Sequence, residues 1–138
     1  MKKYLSILII FMCAFLPVYA RNWVEVTNKI YIDTDSIEPY INELDRIEKG
    51  KFVFWTKNLN DGTQNFKNFE NEYNKKIWYV LDKEIISCNQ KTLSVKTLIF
   101  YDLKGNVINN IEIPYFAHNA YSIAPDSIGE IFYNGICK

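Results

Sequence analysis

Three cysteines and one histidine are the most reactive side chains in this sequence. A cysteine nucleophile needs a nearby histidine to raise its thiolate fraction. A zinc site needs three or four Cys, His or acidic ligands together. The one histidine, His118 in "YFAHNAY", builds no metal site and reads as a loop or edge residue without a partner. Paired carboxylates are the other route to acid–base work. Asp33 and Asp35 in "DTDS" are close in sequence, but turn and cap roles for Asp and Ser account for them. No P-loop, GxSxG, CxxC or HExxH pattern occurs. The sequence therefore predicts no catalytic residue, no metal and no cofactor, and the chain is not expected to be an enzyme.

The cysteines acquire a role from the compartment. Lys2 and Lys3 precede a nearly unbroken apolar run from Leu5 to Leu16, and "VYA" follows with Val18 and Ala20. This is the pattern of a secretory signal peptide cut after Ala20. The run is shorter than the roughly 20 apolar residues of a spanning helix, and Pro17 ends it. Cys13 follows Met12 rather than the small residue a lipoprotein signal requires, so no lipid anchor is expected. Residues 1–20 thus read as signal and 21–138 as one exported domain, in the periplasm or at the cell surface. Two cysteines then remain, Cys88 and Cys137, and only one pairing exists. In an oxidising compartment that pair reads as a disulfide. Without Lys2 and Lys3, 14 basic residues face 16 acidic ones. Such a balance carries no nucleic-acid footprint.

Aromatic content is the stronger functional signal, with 10 Tyr, 9 Phe and 3 Trp. Core packing accounts for most of them, yet Tyr and Trp are also enriched among interface anchors. Two groups stand out as candidate binding residues. Trp78 and Tyr79 are adjacent on a predicted strand, so they should point to opposite faces. Tyr115, Phe116 and Tyr121 surround His118.

The elements that must carry these residues are mostly strands. "NWVEVT" and "KIYID" are short candidates, and 33–50 reads as a charged loop or helical turn closing at Gly50. "KFVFWTKN" is apolar on both faces, as a central strand should be. Residues 59–75 read as an exposed, Asn-rich loop around "NDG"; Phe66, Phe69 and Tyr73 fall at helical spacing, and a short amphipathic helix is the alternative, but they are expected to anchor the loop. "KIWYVLDKEIISC", "TLSVKTLIFYD" and "VINNIEI" read as three strands joined by tight turns at 89–91 and 103–106. Leu93, Val95, Ile99 and Tyr101 should share one face of the second. At the end the period shifts from two to about 3.6. Ile128, Ile131, Phe132 and Ile136 mark a helical face, and Ser127 with Glu130 forms a capping box. A helix this short does not hold alone; a Cys88–Cys137 bond would pin its end to the sheet. The expected fold is α+β, an antiparallel meander with a C-terminal helix packed on it and tied by a disulfide.

"IYIDTDSI", "FVFWTKN", "SCNQKT" leading into "FYDLKGNVI", and "IAPDSIGEIFYNGIC" together resemble the surface-adhesin protein E family of bacterial envelope proteins. The likeness runs in order through most of 21–138. Its most specific parts are Cys88 to Gly105 and the final helix ending in Cys137. The resemblance implies an antiparallel sheet with a disulfide-fixed C-terminal helix. It also implies an exported, non-catalytic envelope protein that recognises a protein partner, as the family's founding adhesin binds host extracellular proteins. The alternative is a periplasmic module, an inhibitor or an envelope-assembly factor, making contact through the 59–75 loop.

Overall fold

The computed structural model describes residues 21–138; the expected signal segment, 1–20, lies outside the described residues. Alternating sequence becomes strand throughout the first half. Strands β1 (Trp23–Thr27), β2 (Ile30–Ile41) and β3 (Ile47–Leu59) pair antiparallel in order. The segment 33–50 is thus not a loop. β2 continues through Pro39 to Ile41, and a short turn at Asn42–Arg46 leads into β3. A register shift between Asp33 and Glu38 hides the alternation. Ser36 secures the irregularity. Its hydroxyl donates to the Asp33 carbonyl at 2.7 Å and accepts the Trp55 amide at 2.9 Å. Gly50 sits within β3 at φ +78°, and a methyl placed there would lie 2.6 Å from the Asn89 side chain. Only glycine meets both conditions.

Residues 59–75 are likewise not an open loop. Helix α1 spans Gln64–Tyr73. Phe66, Phe69 and Tyr73 do not merely anchor it. They occupy one helical face and pack on Ile77, Val80 and Phe100. The Phe69 and Tyr73 rings lie 4.9 and 5.2 Å from that of Phe100. The polar composition describes the outward face alone. Asn74 ends the helix in the left-handed conformation, φ 49°.

Strands β4 (Ile77–Ser87), β5 (Thr92–Asp102) and β6 (Val107–Glu112) follow, each antiparallel to its neighbour. A two-residue strand, β7 (Tyr121–Ser122), pairs with β5 at Thr92 and Leu93. β6 and β7 therefore share one flank of β5, and the sheet has seven strands. Two bulges redirect side chains. Ile77 pairs with Asp102 but Tyr79 with Tyr101, so Trp78 is an extra residue in β4. Lys83 pairs with Thr97 but Glu84 with Val95, so Lys96 is extra in β5. The second bulge separates the four residues expected on one face. Leu93 and Val95 stand with Ile86 and Glu84, while Ile99 and Tyr101 stand with Leu81 and Tyr79 on the opposite side.

Helix α2 (Ile128–Cys137) closes the chain. Ser127 caps it, accepting the Glu130 amide at 3.2 Å, and Glu130 reaches back to the Asp126 amide at 2.7 Å. Phe132, Tyr133, Ile136 and Cys137 join the principal core of Ile32, Phe54, Ile86 and Leu93. Phe132 meets Phe54 edge to face at 5.3 Å. Ile131, expected on this face, is 49% exposed. The helix turns its 132–136 ridge inward instead. Cys88 and Cys137 are joined by a disulfide, Cα atoms 5.5 Å apart, which pins α2 to the end of β4. Both helices lie on the same side of the sheet, because Phe54, Val80, Ile86 and Phe100 alternate with the residues of the other face.

Candidate binding surface

The face away from the helices divides into two zones. Near the β2–β3 turn, Tyr40, Val53 and Ile85 form a small buried cluster. Tyr115 and His118, from the segment after β6, line a cleft with Tyr40, Lys51, Ile85 and Ser94. The end of β2 and the segment after β6 also share a cleft, although three strands lie between them in the sheet. The sheet therefore curls over this face.

Further along, the face carries a stripe of aromatic and cationic side chains. Strand register builds it. Trp23 stands opposite Asp33, Asp33 opposite Trp55, and Trp55 opposite Lys83. One step on, Tyr31 stands opposite Lys57 and Lys57 opposite Leu81, while Tyr79 faces Tyr101. Lys57 is the centre. Its ammonium lies 4.7 Å from the Trp23 ring, 5.5 Å from Tyr79 and 5.9 Å from Tyr31. Arg21 lies 6.0 Å from the Trp23 ring and 5.8 Å from Trp55, and Lys83 lies 5.6 Å from Trp55. Tyr79 and Tyr101 stack at 4.5 Å.

These cations rest on aromatic faces, which attract them through the ring quadrupole. Among the described residues none of the three is within ion-pair distance of a carboxylate; the ion pairs present are Lys51–Glu48 and Lys76–Glu70. Burial, and secondarily the Arg21 charge, lowers the pKa of Lys57. Burial also raises that of Tyr79, with Tyr101 adding to it. The rings are half-buried by one another, and each is held by its neighbours. Two carboxylates share this face, Asp33 buried between Trp23 and Trp55 and Glu25 opposite Tyr31, so three cations stand against two acids.

Of the residues singled out from sequence, Tyr79 belongs to this stripe. Trp78 lies beside it, 48% exposed, with ring centroids 5.1 Å apart. The two do not take opposite faces as simple alternation requires, because Trp78 is the bulge residue. The second group is divided. Tyr115 (49% exposed) stacks edge-on against His118 at 5.8 Å, and Phe116 is 90% exposed. Tyr121 lies instead on β7, where burial raises its hydroxyl to about 12, with Glu84 and Asp82 adding to the rise. His118 does have a partner: its Nε2 lies 2.6 Å from the Ile113 carbonyl, which fixes the loop. Sequence reasoning missed Trp23, Tyr31, Trp55, Lys57 and Tyr101 as a group. The strand segments were visible, but only the pairing of β1 with β2, β2 with β3 and β3 with β4 brings them together.

The fold can be compared with known ones. No family model matches the chain, and no curated protein matches it significantly. Solved structures do. The selenomethionine form of Haemophilus influenzae protein E superposes with a TM-score of 0.56 at 19% identity, covering 88% of this chain and 90% of that one. Protein E from non-typeable Haemophilus influenzae gives 0.54 at 18% identity, over 88% and 79%. A second structure of Haemophilus influenzae protein E gives 0.53 at 17%, over 89% of each. At this identity the shared property is the fold: an antiparallel sheet of the protein E kind.

Proposed function

We propose that this chain is an exported binding protein of the bacterial envelope, and that it recognises an acidic segment of a protein partner on the open sheet face. One observation carries this reading. Lys57 sits among Trp23, Tyr31 and Tyr79, partly stripped of water and, among the described residues, without a carboxylate within ion-pair distance. A cation so placed gains from an incoming carboxylate, and the surrounding rings exclude water from the contact. Because the rings already hold one another, little side-chain freedom is lost on binding. The protein E-like fold and the signal-like N-terminal residues support the envelope setting. The alternative of an inhibitor reaching out with 59–75 has less to stand on, since α1 spends its aromatic face on the sheet.

The test uses the exported protein and acidic peptides of eight to ten residues that include an aromatic. Trp fluorescence reports binding at Trp23 and Trp55. Micromolar affinity that weakens with salt is expected. Lys57→Glu should lower it at least tenfold with unchanged circular dichroism. Equal affinity of the variant would remove the stripe as the site. Protease treatment of intact cells addresses the setting separately: cleavage indicates the surface, and protection until the cells are opened indicates the periplasm.

A further inference from the structure

The helix-covered side of the sheet is not apolar throughout. Between the two helices, β3 and β4 present Thr56, Asn58, Asp82 and Glu84. Each acid takes one bond from β3. The Thr56 hydroxyl donates to Glu84 Oε1 at 2.9 Å, and the Asn58 amide donates to Asp82 Oδ2 at 2.8 Å. Asp82 Oδ1 is sealed from solvent and has no hydrogen-bond partner among the described residues. Asp82 also lines a cleft of about 270 Å³ between α1 and the sheet, walled by Phe66, Phe69, Phe100, Leu98 and Asn65. Among the described residues no Lys or Arg lines this cleft. Asp82 as a whole is half-buried, but a carboxylate oxygen sealed from water, unbonded and with no cation beside it among the described residues is costly.

We propose that this cleft binds a small organic cation, a primary arylalkylamine: the Asp82 side chain turns its free oxygen toward the cleft to meet the ammonium, and the ring lies among Phe66, Phe69 and Phe100. Five considerations select that class. A hard metal ion needs several oxygen ligands, and the described residues contain no group of three or more acidic, His or Cys ligands. A guanidinium wants both oxygens of a carboxylate, but Asn58 already holds Oδ2. A quaternary ammonium has no N–H for Oδ1. The volume lies just below the usual range of ligand pockets, about 300–1,000 Å³, which suits an arylalkylamine and excludes a nucleotide or a lipid. Aromatic walls add attraction for the ammonium. This site is independent of the open-face stripe, since Asp82 and Lys83 alternate to opposite sides of β4.

The surrounding groups give binding a pH signature. Burial raises Asp82 to about 7. It raises Glu84 to about 8, with the Asp82 charge adding to the shift. Tyr121, from β7, keeps its proton throughout this range. α1 turns Asn65, Phe66 and Phe69 to the cleft, and its Glu70 is engaged by Lys76 and the Ile77 amide. Asp82 is therefore the group that ionises when an ammonium arrives, and affinity should rise about tenfold from pH 6 to pH 8.

The experiment is calorimetric titration of the exported protein with phenethylamine at pH 6 and pH 8, beside 2-phenylethanol as the neutral isostere. Binding of the amine but not the alcohol, tighter at pH 8, is expected. Asp82→Asn should lose at least tenfold in affinity. That variant removes a buried charge and should fold. Asn65→Trp, on the exposed wall, should block the cleft and abolish binding without touching the acid. No amine binding at millimolar concentration and pH 8 would overturn the proposal. So would equal binding of the alcohol, or unchanged affinity in either variant.

Discussion

At the residue scale, two acids on the helix-covered side of the sheet dominate, Glu84 buried and Asp82 half-buried. Asp82 and Glu84 are held above the ordinary carboxylate range by burial, to about 7 and about 8. The folded chain therefore keeps protons that the unfolded chain releases above about pH 4. Stability from this source is complete below pH 4 and falls as pH rises toward 8, because the folded state binds more protons in that window. Asp82→Asn and Glu84→Gln should each raise stability at pH 8, by roughly 2 kcal/mol, and change nothing at pH 4. Thermal unfolding followed by circular dichroism from pH 4 to pH 9 reads this directly. Parallel curves for wild type and variants would show that neither acid is perturbed. The sequence "YVLDKEII" displays both acids. It does not display that they face inward, which depends on the helices above them.

At the element scale, α1 depends on its aromatic contacts. It has no buried residue of its own, no side-chain cap bond at Thr63 and no acidic residue in its first turn. Ten residues of such composition do not persist alone in water. Phe100 is fully buried beneath Phe69 and Tyr73. Phe100→Ala should therefore cost about 3–5 kcal/mol and release α1. Amide exchange across 64–73 should quicken far more than across 128–137. Uniform acceleration of both helices would instead indicate one cooperative unit. The helical spacing of Phe66, Phe69 and Tyr73 was legible. The loop reading arose because the intervening Asn, Lys and Glu residues describe only the solvated side.

At the scale of the whole molecule, one covalent link joins distant parts. Cys88 directly follows β4 and Cys137 ends α2, 49 residues apart in sequence. In the chain-entropy account a loop of that length is worth about 4 kcal/mol, a large part of the roughly 5–15 kcal/mol by which domains are stable. The double variant Cys88→Ser, Cys137→Ser should lower unfolding stability by about that amount. Exchange in α2 should rise first, since the helix would then hold through Phe132, Tyr133 and Ile136 alone. A denaturant midpoint equal to that of wild type would show that packing by itself fixes the helix.

The sequence by itself determined the sheet-dominant class, the cysteine pair and the Ser127 helix start. Each follows from local information: period-two alternation, the count of cysteines left after the N-terminal segment, and a cap four residues long. Tertiary structure decided everything that depends on register. The bulges at Trp78 and Lys96 each add one residue, and one residue moves every following side chain to the other face. Pairing with β3 makes the charged stretch after Asp33 a strand, and the regular ladder before it brings Trp23, Tyr31 and Trp55 around Lys57. The candidate surface is thus a property of pairing between strands, which no single segment encodes.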